Sequence, residues 1–216
     1  MIKAVIFDFD GVINNFPEVI WKERIKFLEK EYGVKVNKKD LEHLLGLTLD
    51  DQVNYLVKRY KISLTKQHFQ SHRESIEQIV KKEVVVMPGI KVLLTNLKRN
   101  NIQLAIASNK PRASLEKQLQ SFGVSSFFQV IITLGDTEKP KPDPGVFLLA
   151  AKKLKVDPTS CVVIEDAIHG ISGAKKARMY AIGVCSGFHG DFKGADLVVK
   201  GTKELTVEKI LLLHKK

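Results

Sequence analysis

The sequence predicts an α/β fold in which helices cover both faces of a parallel β-sheet and an all-helical domain is inserted after the first strand. The chain opens with a short apolar run, Ala4–Phe7, that closes near Gly11, and such a run is typical of a buried strand. Only helical patterns follow through residues 15–82, whereas strand and helix patterns alternate from Met87 onward. That alternation is typical of a parallel sheet with helices on both faces.

The helical insertion is predicted to comprise residues 15–82, and the α/β domain residues 1–14 and 83–216. Pro17 suits the first turn of a helix, and Gly33 suits its end. Between them, apolar side chains recur at helical spacing: Trp21, Ile25, Leu28 and Tyr32. Further helices are predicted near residues 38–45, 50–60 and 65–82.

The α/β domain is predicted to continue with five more strands, of which the first four are each preceded by a helix. The strands are predicted near residues 102–107, 128–133, 161–164, 181–184 and 197–199, on the basis of apolar runs bounded by turn residues. The most distinct helix start is Asp143-Pro144, because Asp is a preferred N-cap and Pro suits the first helical position.

Composition excludes several classes of protein. The 216 residues are 44% hydrophobic, as in ordinary globular proteins, and no apolar run reaches the length of about 18 residues that predicts a membrane span. The N-terminus has a strand pattern and not that of a signal peptide. Reduced core thiols are favoured for Cys161 and Cys185, with a disulfide as the alternative, so we expect a cytoplasmic protein.

The net charge of +11 is spread along the chain, without an arginine-rich tract. The basic stripe and stacking aromatic residues of a nucleic-acid interface are not evident, so we expect no specific nucleic-acid partner. A small anionic substrate suits the charge better. The sequence leaves the oligomeric state open.

Two carboxylates, Asp8 and Asp10, follow the first strand. Residues two apart on a strand point to the same side, and the carboxyl ends of parallel strands are where open α/β sheets bind ligands. Two adjacent carboxylates are unfavourable unless a positive charge joins them, and Mg²⁺ is the candidate because it prefers oxygen ligands. The alternative is a simple turn, since Asp-Gly is a turn pair.

Further polar residues stand at the ends of later strands. Ser108 ends the second predicted strand, Glu165 and Asp166 follow the fourth, and Lys139 lies in the loop after the third. Phosphoryl transfer needs carboxylates that serve as metal ligands and as a nucleophile. It also needs groups such as a hydroxyl and an ammonium that bind phosphate oxygens.

Four segments carry a resemblance to a known family: Asp8-Phe9-Asp10-Gly11-Val12, Ser108-Asn109, Lys139-Pro140-Lys141-Pro142-Asp143 and Glu165-Asp166. In order and spacing they resemble the motifs of the haloacid dehalogenase superfamily. The resemblance covers essentially the whole chain and is closest to the branch with β-phosphoglucomutase and phosphoglycolate phosphatase. It implies a Rossmann-like core with an inserted helical cap.

The resemblance also implies a Mg²⁺-dependent phosphatase that acts on a small phosphorylated metabolite. Asp8 would be the nucleophile that forms an aspartyl-phosphate, and Asp10 the general acid and then the general base. The metal would be held by the Asp8 carboxylate, the Asp10 backbone carbonyl and Asp166, with Glu165 in support. Ser108 and the backbone N–H of Asn109 would hold phosphate oxygens, and Lys139 would pair with phosphate and with Asp8.

Other interpretations of single residues stay open. Ser108 could cap a helix, Lys139 could be solvated as is expected of Lys141, and Glu165 could act only through a metal ligand. The resemblance gives His169 no role, and His189 has no assignment. The loop 46–49 is predicted either to face the site or to contribute leucines to the core of the insertion.

The branch contains both phosphatases and mutases. Here Leu49 stands where the mutases are expected to carry an arginine for a second phosphate, and Ile20 where they are expected to carry a histidine. Hydrolysis is therefore favoured over a β-phosphoglucomutase-like phosphotransferase. A non-catalytic module that binds phosphate or protein is the third alternative, disfavoured because every catalytic position of the motifs is filled.

Overall fold

The computed structural model describes residues 1–44, 47–185 and 192–215. The described residues contain a six-stranded, fully parallel sheet in the order β3-β2-β1-β4-β5-β6. Its strands are β1 (Ala4–Phe7), β2 (Gln103–Ser108), β3 (Val130–Thr133), β4 (Cys161–Glu165), β5 (Tyr180–Val184) and β6 (Leu197–Val199). The predicted α/β class is confirmed, and β1 lies at the centre of the sheet.

Ten α-helices accompany these strands in the described ranges. Five lie in the helical segment that follows β1: α1 (Phe16–Tyr32), α2 (Lys38–Leu44), α3 (Leu49–Tyr60), α4 (Lys66–Ser75) and α5 (Glu77–Glu83). Five belong to the α/β part: α6 (Ile90–Arg99), α7 (Arg112–Phe122), α8 (Gly145–Leu154), α9 (Ile168–Lys176) and α10 (Val207–Leu212). None of the helices described is long and apolar enough to cross a membrane.

The sheet has an apolar core on each face because all of its central strands are buried on both sides. Phe7 and Ile106 face α6, α7 and α10, whereas Ile6 and Val163 face α8 and α9. Strands buried on both faces are the rule in parallel sheets. This explains why the strand segments are continuous apolar runs and not alternating patterns.

Helices α1–α5 enclose a third apolar core, centred on Trp21, Leu28, Leu56 and Phe69. The two connections to the α/β part run side by side: the amide of Met87 donates to the carbonyl of Ile13 over 2.8 Å. The domain bounds of 1–14 with 83–216 and of 15–82 stay a prediction.

The prediction of a single helix over residues 65–82 is wrong, because two helices, α4 and α5, occupy this segment and are separated at Ile76. The hydroxyl of Ser75 donates to the carbonyl of His72 over 2.8 Å. A side chain that bonds the backbone in this way competes with the regular helical pattern.

Candidate active site

The strand register aligns the polar residues at the carboxyl edge of the sheet. Phe7 pairs with Ile106 on β2 and with Ile164 on β4, so Asp8, one residue further, lies between the ends of these two strands. Its amide donates to the carbonyl of Ile164 over 2.9 Å. Asp8, Ser108, Glu165 and Asp166 are all buried there.

The lysine that occupies the site is Lys141. Its Nζ lies 2.5 Å from Oδ1 of Asp8 and 2.6 Å from Oε1 of Glu165, and it also donates to the carbonyl of Ala107 over 2.8 Å. The prediction that assigns this position to Lys139 is wrong: Lys139 is exposed and does not line the site. The expectation of a solvated Lys141 is equally wrong, because this side chain is only 5% exposed.

The two lysines stand in the same Lys-Pro context, two residues apart. The path of the loop between β3 and α8 decides which of the two lysine side chains points into the site. That path depends on how the loop packs against the rest of the fold. Burial by itself would lower the pKa of Lys141, but the carboxylates of Asp8 and Glu165 outweigh it and raise that pKa above its usual value. Lys141 is therefore a fixed cation between two carboxylates.

Both carboxylate oxygens of Glu165 accept hydrogen bonds. One carboxylate oxygen accepts from Lys141, and the other accepts from the backbone N–H groups of Asp166 and Ala167, each over 3.0 Å. A Cβ on Gly170 would lie 1.8 Å from the Glu165 carboxylate. Only glycine at this position of α9 leaves room for the glutamate.

Asp10 is held by a lysine that the sequence analysis did not single out. The Nζ of Lys110 lies 3.0 and 2.9 Å from the two carboxylate oxygens of Asp10, and Asn14 also donates to Oδ1 over 3.0 Å. Lys110 packs 4.0 Å above the ring of Phe16 and is only 9% exposed. The available signal was its position directly after Ser108-Asn109.

Ser108 and Asn109 also line the site. The Ser108 hydroxyl accepts from the backbone N–H of Lys110 over 3.2 Å, and the Asn109 side chain accepts from that of Lys141 over 3.4 Å. The alternative that Ser108 caps a helix is not supported, because α7 begins only at Arg112 and is preceded by Pro111.

Three of the carboxylates converge closely enough to share a cation. One oxygen each from Asp8, Glu165 and Asp166 lies within 4.8 Å of the others. Burial raises the pKa of Asp8 to about 7 despite the opposing effect of Lys141, and burial also raises that of Glu165. Three buried carboxylates beside one ammonium leave a deficit of positive charge, and an all-oxygen donor set suits a hard divalent ion. The residues present therefore fit a magnesium-type ion.

These residues form the floor of a cleft of about 200 Å³ whose opposite wall comes from the helical insertion. The wall consists of Phe16, Pro17, Ile20, Trp21 and Arg24 of α1 with Leu47 and Gln52. Leu47 of the predicted loop 46–49 thus lines the cleft, whereas Gly46 of that loop lies outside the described residues, as does His189.

His169, at the start of α9, also lines the cleft. Its Nε2 is buried without a hydrogen-bond partner in the part of the chain described. Burial, reinforced by the nearby His43, lowers the pKa of His169, so that its neutral form is favoured.

Comparison with known proteins identifies the family. A sequence model of the haloacid dehalogenase-like hydrolases matches residues 5–184, and the chain belongs to that family. This confirms the predicted superfamily and the prediction that the chain is a hydrolase.

Relatives and a solved structure agree on the branch. The β-phosphoglucomutase of Bacillus subtilis (strain 168) is 34% identical over 223 residues, covering 98% of this chain and 94% of that protein. Hexitol phosphatase B of Escherichia coli (strain K12) is 28% identical, covering 97% of each. A crystal structure of β-phosphoglucomutase from Clostridium difficile has a TM-score of 0.78 at 29% identity, covering 100% of this chain and 98% of that one.

Proposed function

We propose that this protein is a Mg²⁺-dependent phosphatase that hydrolyses a small phosphomonoester through an aspartyl-phosphate on Asp8. The observation that carries the proposal is the convergence of Asp8, Glu165 and Asp166 with Lys141 in one cleft at the carboxyl edge of the sheet. Relatives that are named phosphatases support it.

Asp8 is the nucleophile of the first step. Lys141 fixes Oδ1, so that the other carboxylate oxygen can attack phosphorus. The new bond joins Asp8 to phosphorus, and the bond from phosphorus to the ester oxygen breaks. Asp10 in its acid form gives its proton to the departing alkoxide, a form of general acid catalysis. Ser108 and the backbone N–H of Asn109 hold phosphate oxygens during the transfer.

Asp10 changes role in the second step. As a carboxylate it takes a proton from water, whose oxygen attacks phosphorus and breaks the bond to Asp8. Inorganic phosphate leaves, and Asp10 is again an acid. Lys110 and Asn14 hold Asp10 in place for both transfers, since general acid–base catalysis requires a positioned group.

The metal would be held by the carboxylates of Asp8 and Asp166 and the backbone carbonyl of Asp10, with Glu165 in support. Bound there, the ion would neutralise phosphate charge and orient the phosphoryl group. Lys141 does not replace it, because this lysine is already shared by two carboxylates.

Hydrolysis is proposed in preference to transfer between two positions of a sugar. Ile20 is buried in the cleft wall where a mutase is expected to have a histidine, and Leu49 stands at the start of α3 where an arginine is expected. A β-phosphoglucomutase-like phosphotransferase stays the alternative, since a mutase is among the relatives. We also propose a cytoplasmic location, in keeping with the two free thiols of Cys161 and Cys185.

The test is hydrolysis of 4-nitrophenyl phosphate with Mg²⁺ and with excess chelator, by wild type and by Asp8→Asn. We expect turnover that requires both the metal and Asp8, with release of inorganic phosphate. Turnover that survives both the chelator and Asp8→Asn would contradict the mechanism. If a sugar phosphate is isomerised without phosphate release, the alternative is correct.

A further inference from the structure

The wall of the cleft carries a buried cation that the proposed chemistry does not use. Arg24, on α1, is 7% exposed and lines the cleft. The other cleft-lining cations in the described ranges are Lys110 and Lys141, and both are paired with carboxylates. Arg24 forms no ion pair with any described residue, and its Nε is buried without a hydrogen-bond partner there.

The guanidinium of Arg24 is held in place by neutral groups. One amino group donates to Oε1 of Gln52 over 2.7 Å, and the guanidinium carbon lies 4.1 Å from the ring centre of Phe69 and 5.3 Å from that of Trp21. The amide nitrogen of Gln52 is used fully by the carbonyls of Leu44 and Leu47. Gln52 therefore orients Arg24 without neutralising it.

A buried charge without a partner is unfavourable, as is the charge left behind when a buried ion pair is broken. Burial, together with the nearby Arg73, lowers the pKa of Arg24 to about 9, so the group keeps its charge at neutral pH. A cation preserved under these conditions and facing a substrate cleft is typical of an anion-binding group, because a guanidinium matches carboxylate and phosphate oxygens.

We propose that Arg24, oriented by Gln52, binds a second anionic group of the substrate, at the end remote from the phosphoryl group that reacts with Asp8. The substrate class is then a small phosphomonoester with a distal carboxylate or phosphate. Ile20, Trp21 and Leu47 give the segment between the two anionic ends an apolar surface. This inference rests on the proposed phosphatase function and specifies its substrate.

The experiment compares esters that share a chain and differ at its far end. The probes are propyl phosphate, 3-phosphooxypropanoate and propane-1,3-diol bisphosphate, and the readout is the ratio of kcat/KM for each anionic probe to that for propyl phosphate. We expect at least one ratio of about 10 or more in the wild type, in line with a charge-assisted contact. The two anionic probes distinguish a carboxylate from a phosphate as the group bound.

Arg24→Met keeps an apolar stem against Trp21 and Phe69 and should bring the ratio close to one. Arg24→Lys, which keeps the charge but not the planar donor set, should give an intermediate ratio. Lys22→Met is the matched control, since Lys22 is an exposed cation of the same helix, and its ratio should equal that of the wild type. If the wild type shows no preference, or if Arg24→Met lowers all three kcat/KM values equally, the inference is overturned and Arg24 is only structural.

Failure of the proposed function is recognised separately. If the wild type hydrolyses neither 4-nitrophenyl phosphate nor any of the three probes, the phosphatase proposal fails. Calorimetric titration with propane-1,3-diol bisphosphate and with propyl phosphate then decides the inference. Tighter binding of the bisphosphate that is lost in Arg24→Met supports the anion site, and equal binding of both probes overturns it.

Discussion

Lys141 lies with its ammonium 2.5 Å from the carboxylate of Asp8, and the same ammonium contacts Glu165 at 2.6 Å. The three side chains come from three separate segments: the end of β1, the loop before α8 and the end of β4. All of them are buried. The position of the proposed nucleophile thus depends on a lysine more than a hundred residues away in the chain.

Replacement of Lys141 by methionine should abolish most activity and destabilise the fold. Without its ammonium, Asp8 loses the contact that orients it, and we expect kcat to fall about 100-fold or more. Two carboxylates would stay buried without their cation, a change that costs about 3–5 kcal/mol. Steady-state kinetics and urea denaturation in the presence of chelator measure the two effects.

Lys139→Met is the matched control for this variant, because Lys139 has the same sequence context and is exposed. Its kcat and its free energy of unfolding should equal those of the wild type. If Lys139→Met is the more damaging variant, the assignment of Lys141 to the site is incorrect.

Gly170→Ala should displace Glu165, since the added Cβ would lie 1.8 Å from the carboxylate. We expect a loss of about 10–100-fold in metal affinity or activity, which is the usual effect of disturbing the groups that support a metal site. Gly135→Ala is the control, because nothing lies within 4 Å of a Cβ built there. Equal activity of Gly170→Ala and Gly135→Ala would contradict the proposed importance of Glu165.

Magnesium should stabilise the folded protein even without substrate. A ligand that binds only the folded state contributes about 2.7 kcal/mol at a hundredfold excess over its Kd, so the melting temperature should rise with Mg²⁺ concentration. Asp166→Asn removes one of the three converging carboxylates and should weaken this rise. A rise of the same size in both proteins would place the ion elsewhere.

Asp40 should stabilise the helical insertion in a pH-dependent way. This buried carboxylate accepts hydrogen bonds from Tyr55 at 2.6 Å, from Arg59 at 3.2 Å and from Tyr60. Burial would raise the pKa of Asp40, but these bonds outweigh it and hold that pKa below its usual value. A lowered pKa means that the contribution is fully present above the unfolded-state value of about 3.9 and is lost as the pH falls below it.

Asp40→Asn should therefore lower the free energy of unfolding by about 1–3 kcal/mol at pH 7. The difference from the wild type should shrink as the pH falls below about 4, which denaturation at a series of pH values measures. Asp50→Asn is the control: Asp50 pairs with Lys66 at the surface, and such pairs contribute about 0–1 kcal/mol. A difference for Asp40→Asn that does not change with pH would exclude the carboxylate as its source.

The fold and much of the site are predictable because they depend on local patterns. Apolar runs such as Ala4–Phe7 predict buried strands wherever they pack, and a parallel sheet brings the residues after its strands to one edge. The same rule predicts that Asp8, Ser108, Glu165 and Asp166 lie near one another, and all four line one cleft in the structure. Their chemical roles stay proposals.

The parts that were missed depend on contacts between distant segments. Lys141 and Lys139 are equivalent in the sequence, and only the course of their loop over the sheet edge separates a buried cation from an exposed one. The position of Lys110 depends on its ion pair with Asp10, which is a hundred residues away in the chain. Arg24 is one charged residue of an amphipathic helix, and its isolation from carboxylates is visible only when α1, α3 and α4 are packed together.

By itself, then, the sequence determined the α/β class, the inserted helical segment, the family and the edge of the sheet at which the carboxylates gather, because each of these follows from periodicity and motif order along the chain. The tertiary structure alone decided which lysine neutralises Asp8 and which cation in the cleft is left without a partner. The reason is physical, because the charge state and the ion pairs of a buried group depend on every segment that packs around it. The sequence shows only which residues are its neighbours along the chain.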